Sequence, residues 1–152
     1  MSSVRSRGNR TTELRLRALL ARYRVRGWKV QPKEIAGSPD FAFPKERIAI
    51  FVDGAFWHGA PSFDRLPHCR AKFWKDKIAK NRMRDRTINS YLRRMGWSVI
   101  RIWDFDLAEK TSVIIEKIRL VLYHRRSQRV TRLPKRGVRV KPRPIAGRRA
   151  HQ

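Results

Sequence analysis

The sequence predicts an α/β domain, a mixed β-sheet flanked by helices with the elements in the order α-β-β-β-α-β-α. Three observations carry that expectation. Apolar residues recur at helical spacing in three separate stretches, one near the start, one from Ala71 and one from Val113. Arg47 to Val52 is almost wholly apolar and β-branched, as in a central strand covered on both faces. Helical and extended patterns also alternate along the chain, the arrangement of a sheet with helices packed on it.

Taken in order, Thr11-Thr12 before Glu13 reads as a helix start. Leu14, Ala18, Ala21 and Val25 then supply an apolar stripe, and Gly27 stops it. Trp28-Lys29-Val30-Gln31 alternates as a strand, Ala36-Gly37-Ser38-Pro39 is turn chemistry, and Asp40-Phe41-Ala42-Phe43 resumes extension before Pro44, so a short hairpin is expected. The Arg47–Val52 strand ends at Asp53-Gly54 and delivers Asp53 to the sheet edge. Residues 54–70 lack periodicity and read as a long loop, a type more often functional than structural. From Ala71 a helix presents Phe73 or Trp74, Ile78, Arg82, Ile88, Tyr91, Leu92 and Met95, with Gly96 as its stop. Trp97 to Trp103 alternates as a strand. Val113, Ile114, Ile118, Val121 and Leu122 make a last helix ending near Tyr123.

The chain has 152 residues, enough for one domain with a real core and too few for a multidomain machine. Its 38 Lys and Arg against 12 Asp and Glu give a formal charge of +26, for which the usual partner is a polyanion, most often nucleic acid. The excess is uneven. Residues 1–33 carry 10 basic and 1 acidic residue, residues 34–110 carry 15 and 10, and residues 111–152 carry 13 and 1. The expected organisation is therefore a basic arm (1–10), a folded domain (11–124) and a flexible basic tail (125–152) with too few large apolar residues to order itself. The single cysteine, Cys69, excludes a disulfide scaffold. No stretch has the length of a signal or a membrane span, so a cytoplasmic, nucleoid-associated location is expected.

Three features converge on one sheet edge: Asp40, Asp53 and the loop Ala55-Phe56-Trp57-His58-Gly59. Phosphodiester hydrolysis calls for a hard divalent cation on oxygen ligands and a base for water. Asp40 and Asp53 are the right ligand type, and His58 is the right base, titrating near neutral pH. Each also has a plain reading, as turn residues and a satisfied loop histidine. Phe56 and Trp57, between glycines, either tuck into the core or meet a partner's bases, and Trp74 shares that choice; Trp28, Trp97 and Trp103 are expected in the core. The cations from Lys72 to Arg86, among them Lys77, Arg82, Arg84 and Arg86, have few opposite charges beside them and read as phosphate contacts. Asn81 and Asp85, one turn apart, suit orienting a phosphate or anchoring an arginine. His58, His68 and Cys69 offer one thiolate, too few for a structural zinc site.

Ser38-Pro39-Asp40-Phe41, Phe51 to Gly59, Phe73-Trp74, Lys80 to Arg86, Gly96-Trp97 and Ile102-Trp103, in that order, resemble the very short patch repair (Vsr) endonuclease family over roughly residues 5–108. That family belongs to the PD-(D/E)XK nucleases, whose restriction-endonuclease-like α-β-β-β-α-β core agrees with the order above. The resemblance implies a Mg²⁺-dependent DNA endonuclease that nicks one strand beside the thymine of a T:G mismatch, with mismatch-repair scaffold proteins as possible partners. Asp40 then becomes the metal-binding carboxylate and Val52 lends its main-chain carbonyl. His58 activates water, Glu13 assists, and Asn81 lies at the scissile phosphate. Phe56, Trp57 and Trp74 match the aromatic wedge that opens the duplex, at a cost lowered by the weak wobble pair. The chain also departs from the pattern. Ala55, Ala60 and Phe105 stand at or near the places of the family's zinc ligands, which implies that this metal is absent. Asp53 stands where some members have histidine, and Phe51 replaces the glutamate of the wider signature; Asp53 is expected in the active site.

Two other readings remain. One is the same nuclease fold with a different DNA target, of homing, mobile-element or structure-specific type. The other is a non-enzymatic basic protein that binds DNA or RNA.

Overall fold

The computed structural model describes residues 7–55 and 71–132. Helix α1 (Arg7–Arg22) leads into strands β1 (Lys29–Val30), β2 (Phe41–Phe43) and β3 (Ile48–Asp53). Helix α2 (Ala71–Arg94), strand β4 (Ser98–Trp103), the short helix α3 (Asp106–Glu109) and helix α4 (Thr111–Arg132) follow. The sheet order is β1-β2-β3-β4. β1 pairs antiparallel with β2, and β2 with β3, whereas β3 and β4 run parallel, joined through α2. This is the mixed, helix-flanked α/β sheet expected from the sequence, with one extra helical turn after β4.

Alternation along the strands separates two faces. Phe41, Phe43, Ile48, Ile50, Val52, Ile100 and Ile102 pack with Leu16 and Leu20 of α1 and with Ile114, Ile115, Ile118 and Leu122 of α4. Ala42, Ala49 and Phe51 on the opposite face join Ile35 and Leu92, with Ile88, Trp97 and Val99 partly buried against them. Small residues on this second face let α2 come close. Gly37 shows how close: its φ is +80°, and a Cβ there would meet Ile88 Cγ2 at 2.5 Å, so both the turn and the helix demand glycine.

Several local expectations are corrected. The inward stripe of α1 is Leu16 and Leu20, not Leu14 and Ala18: Leu14 is 55% exposed, because the sheet is met half a turn further round the helix. α1 stops at Arg24, φ +54°, before Gly27 is reached; Val25 N donates to Leu20 O and Arg24 N to Ala21 O, closing the helix with a non-glycine residue in the left-handed region. α2 does end as expected, with Gly96 at φ +80° and Trp97 N donating to Leu92 O. Its inward row is Trp74, Ile78, Asn81, Asp85, Ile88 and Leu92, while Phe73, Arg82, Tyr91 and Met95 are exposed. Trp28, Trp97 and Trp103 are each half-buried. Finally, α4 does not end near Tyr123 but runs to Arg132, through the first eight residues of the expected flexible tail. Arginine contacts to neighbouring turns hold it there: Arg125 donates to Gly96 O and Arg47 O, and Arg126 pairs with Glu46 at 2.9 Å. The rest of that tail, and most of the expected basic arm, lie outside the described residues.

Candidate active site

Backbone pairing between β2 and β3 reaches only as far as Phe41 opposite Ile50. One step beyond it, the Asp40 side chain takes over: its Oδ2 accepts the Val52 N–H at 2.7 Å. The Asp40 carbonyl accepts from Gln31 N at 2.9 Å, so the residue is fixed from both sides. The same Gln31 donates through Nε2 to Glu13 Oε2 at 2.7 Å, which draws α1 toward this end of the sheet. Burial pushes the Asp40 carboxyl up to about 6; the Val52 hydrogen bond opposes this, and the negative charges of Asp53 and Glu13 add to it. Asp40, Val52, Asp53 and Glu13 thus gather at the carboxyl ends of the parallel pair β3 and β4.

Asp53 is buried, and so is Asp85 on α2. Arg101, from the middle of β4, reaches both: its Nη1 lies 3.3 Å from Asp53 Oδ2 and 2.6 Å from Asp85 Oδ2, and Nη2 donates to Asp85 Oδ1 at 3.0 Å. The guanidinium also lies 4.9 Å over the Phe51 ring. Of the two roles open to Asp85 in the sequence, the structure has it anchoring an arginine. Asp104 pins the next stretch of chain. Its N–H donates to Asp53 O at 3.0 Å, and its Oδ1 accepts from Ala55 N at 3.2 Å and Phe105 N at 2.9 Å. Ala55 and Phe105 are two of the places where the resemblance puts zinc ligands, and here a single carboxylate oxygen ties them together.

On α2, Asn81 is half-buried one turn before Asp85. Trp74 packs edge-on against Phe73, centroids 5.2 Å apart, and Lys77 Nζ lies 5.4 Å from the Trp74 ring centroid and 5.8 Å from that of Phe73. Arg82, Arg84 and Arg86 are exposed. At 3.6 residues per turn, Arg82 and Arg86 share one flank of the inward row, and Lys77 and Arg84 share the other, so no single helix face presents all four. Phe56, Trp57 and His58 lie outside the described residues, as do Ala60, His68 and Cys69.

Gln31, Arg101 and Asp104 escaped sequence reasoning. Arg101 did leave a signal, since an arginine inside the alternating run Val99–Trp103 needs a buried partner. Gln31 left none that a single chain reveals.

The family model for DNA mismatch endonuclease Vsr matches residues 1–63. A type II nicking enzyme of Xanthomonas oryzae pv. oryzae is 36% identical over 110 residues, 72% of this chain and 79% of that protein. The DNA mismatch endonuclease Vsr of Escherichia coli K12 is 35% identical over 107 residues, 70% of this chain and 68% of its own length. The chain belongs to the Vsr family. A type II nicking enzyme of Neisseria meningitidis serogroup C is 40% identical over 87 residues, and there the match spans 59% of the relative's length; for another, from Lentzea aerocolonigenes, it spans 49%.

The Vsr family implies a metal, and the donor set at the end of β3 fits a hard divalent cation. It consists of carboxylate and carbonyl oxygens, and the charges of Asp53 and Glu13, which add to burial in raising the Asp40 pKa, are charges a cation would offset. Among the described residues no three His, Cys, Asp or Glu side chains could hold an ion between them. Mg²⁺ commonly takes only one or two protein carboxylates, the rest of its shell being water and phosphate. Among the described residues, too, no helix is long and apolar enough to cross a membrane.

Proposed function

We propose that this chain is a DNA endonuclease that nicks one strand beside the thymine of a T:G mismatch, with Mg²⁺ as cofactor. The observation that carries the reading is the Asp40 carboxylate, half-buried, bonded to Val52 N and facing the charges of Asp53 and Glu13 at the end of the parallel strands. Asp40 and the Val52 carbonyl would hold the ion, which supplies charge neutralisation at the phosphorus and a more acidic water. His58 accepts the water's proton, three residues beyond the Ala55 anchor held by Asp104. Glu13 assists by adding negative charge beside Asp40 for the cation to offset, and Asn81 orients the phosphate from α2. Phe56, Trp57 and Trp74 wedge the duplex, which a T:G wobble pair resists least. Lys77, Arg82, Arg84 and Arg86 neutralise phosphates on either side of the break.

The test uses end-labelled T:G and C:G duplexes with Mg²⁺ or EDTA. The expected result is one nick, in the T strand, only with the metal and only in the mismatched duplex. Equal cutting of a matched or branched duplex transfers the fold to another target. No cutting with any divalent metal removes the enzymatic reading.

A further inference from the structure

The amino ends of β3 and β4 form a pole opposite the candidate site. At roughly 3.3 Å per residue, the five steps from Ile48 to Asp53 separate the two by about 17 Å. Three segments meet at this pole: the β2–β3 turn, the last turn of α2 and the C-terminal part of α4. They carry exposed Lys45, Arg47, Arg93, Arg94, Arg126 and Arg129. Glu46 is the one acidic residue in these segments, and it is engaged by Arg126 at 2.9 Å.

The cations are held on a braced platform. Arg125, half-buried, donates to the carbonyls of Gly96 and Arg47. Arg47 reaches Met95 O at 3.4 Å, and Ser98 N donates to Arg47 O at 2.8 Å. The favourable position of cations at a helix carboxyl end accounts for Arg93 and Arg94 and, in the last turn of α4, for Arg129, but not for Lys45. Among the side chains described in α4, Leu122 is the last buried one, and these polar contacts account for the helix continuing beyond it. In sequence, the chain then continues through residues 133–152 with seven more basic residues and no acidic ones.

We infer that this pole is a second binding surface for the phosphate backbone of duplex DNA, separate from the candidate active site and facing away from it. A straight duplex seated at the carboxyl ends of the strands does not reach a surface on the far end of the sheet. The pole therefore takes a second duplex segment, and the protein bridges two. The inference needs only that the chain binds DNA; it does not need the mismatch reading.

The experiment titrates full-length protein with a 14-bp T:G duplex in Ca²⁺ without Mg²⁺, reading stoichiometry by calorimetry at several salt concentrations. Two duplexes per chain are expected. The triple variant Arg93→Glu, Arg94→Glu, Arg129→Glu should lose the second event, while nicking of the same short duplex in Mg²⁺ stays within twofold of the parent. In the milder variant with glutamine at those three positions, which guards against misfolding, the salt slope of the second event should fall by about 0.9 per arginine. A 40-bp duplex separates the two sources of backbone: two per chain means separate molecules, and one per chain with affinity lost in the triple variant means a flank of the same DNA. A single event with both duplex lengths, untouched by the triple variant, overturns the inference, as does a second event that survives it. Two binding events without any nicking leave the pole standing and remove the enzymatic proposal instead.

Discussion

The two faces of the sheet are built on different terms. Toward α1 and α4 the contacts are apolar throughout, from Leu16 and Leu20 across Ile48, Ile50 and Ile102 to Ile115 and Ile118, each 5% exposed or less. Toward α2 the same strands present Ala42, Ala49 and Phe51, and then, at the end where the candidate site lies, Asp53 and Arg101 facing Asp85. The interior of one face is thus closed by hydrophobic burial. The other exchanges part of that burial for charges that must be paired, at the end where the proposed chemistry needs them. Substitution on the first face should therefore cost stability alone, whereas substitution on the second also reaches the charges beside the candidate site.

The sharpest division is expected at Asp40. Asp40→Ala should lower nicking by more than about 10³-fold, since it removes the proposed metal ligand, while duplex affinity changes little because phosphate contacts dominate binding. End-labelled nicking and a binding titration on the same preparation check it. Full turnover in the variant would mean that the metal is held elsewhere.

Next in size is Arg101→Met. It leaves the buried Asp53 and Asp85 without their shared cation, and losing one partner of a buried charged group costs about 3 kcal/mol or more. Denaturant unfolding should show that loss, and adding Asp85→Asn should restore part of it by removing one of the two buried negative charges. If Arg101→Met unfolds at the parental midpoint, the α2 face is not held by this bridge, and the contrast between the faces is weaker than stated.

On the apolar face, Ile118→Ala should cost about 3 kcal/mol through lost burial and a cavity, Ile118 being fully buried. Nicking per folded molecule, measured well below the new midpoint, should match the parent. A selective loss of nicking would show that the α1/α4 face communicates with the site.

Much of this contrast was legible in the sequence. The apolar run Ile48–Val52 announces a strand covered twice, and Gly96 announces the end of α2, because periodicity and φ > 0 glycine chemistry are local. The inward row of α1 is not decided by the sequence, since Leu14 and Leu16 both fit a helical stripe and only the position of the sheet decides between them. The extension of α4 is hidden for a related reason: residues 125–132 look like a solvated basic tail until the carbonyls of Arg47 and Gly96, distant in sequence, supply partners for Arg125. At the site, Asp40 and Asp53 were visible as strand-end carboxylates. Gln31 and Asp104 were not, since their roles lie in hydrogen bonds to main-chain atoms and to Glu13 that no residue spacing encodes.

The smallest effect expected is a gain in stability. The Asp40 carboxyl lies at about 6 in the folded chain against 3.8 unfolded, so burial beside Asp53 and Glu13 opposes its ionisation. Below pH 3.8 the group is protonated in both states and costs nothing. Between 3.8 and 6 the folded state holds the proton that the unfolded state has released, and stability falls as pH rises through this window. Above 6 the full penalty is present, at most about 3 kcal/mol for a shift of this size and less for a half-buried group. Asp40→Asn keeps an oxygen for Val52 N and removes the charge. Its melting temperature should exceed the parent's at pH 7 and equal it at pH 3.5, with no nicking at either pH. Equal melting temperatures at pH 7 would mean that the carboxylates are too well solvated to repel one another, and the candidate site would lose its claim to trade stability for chemistry.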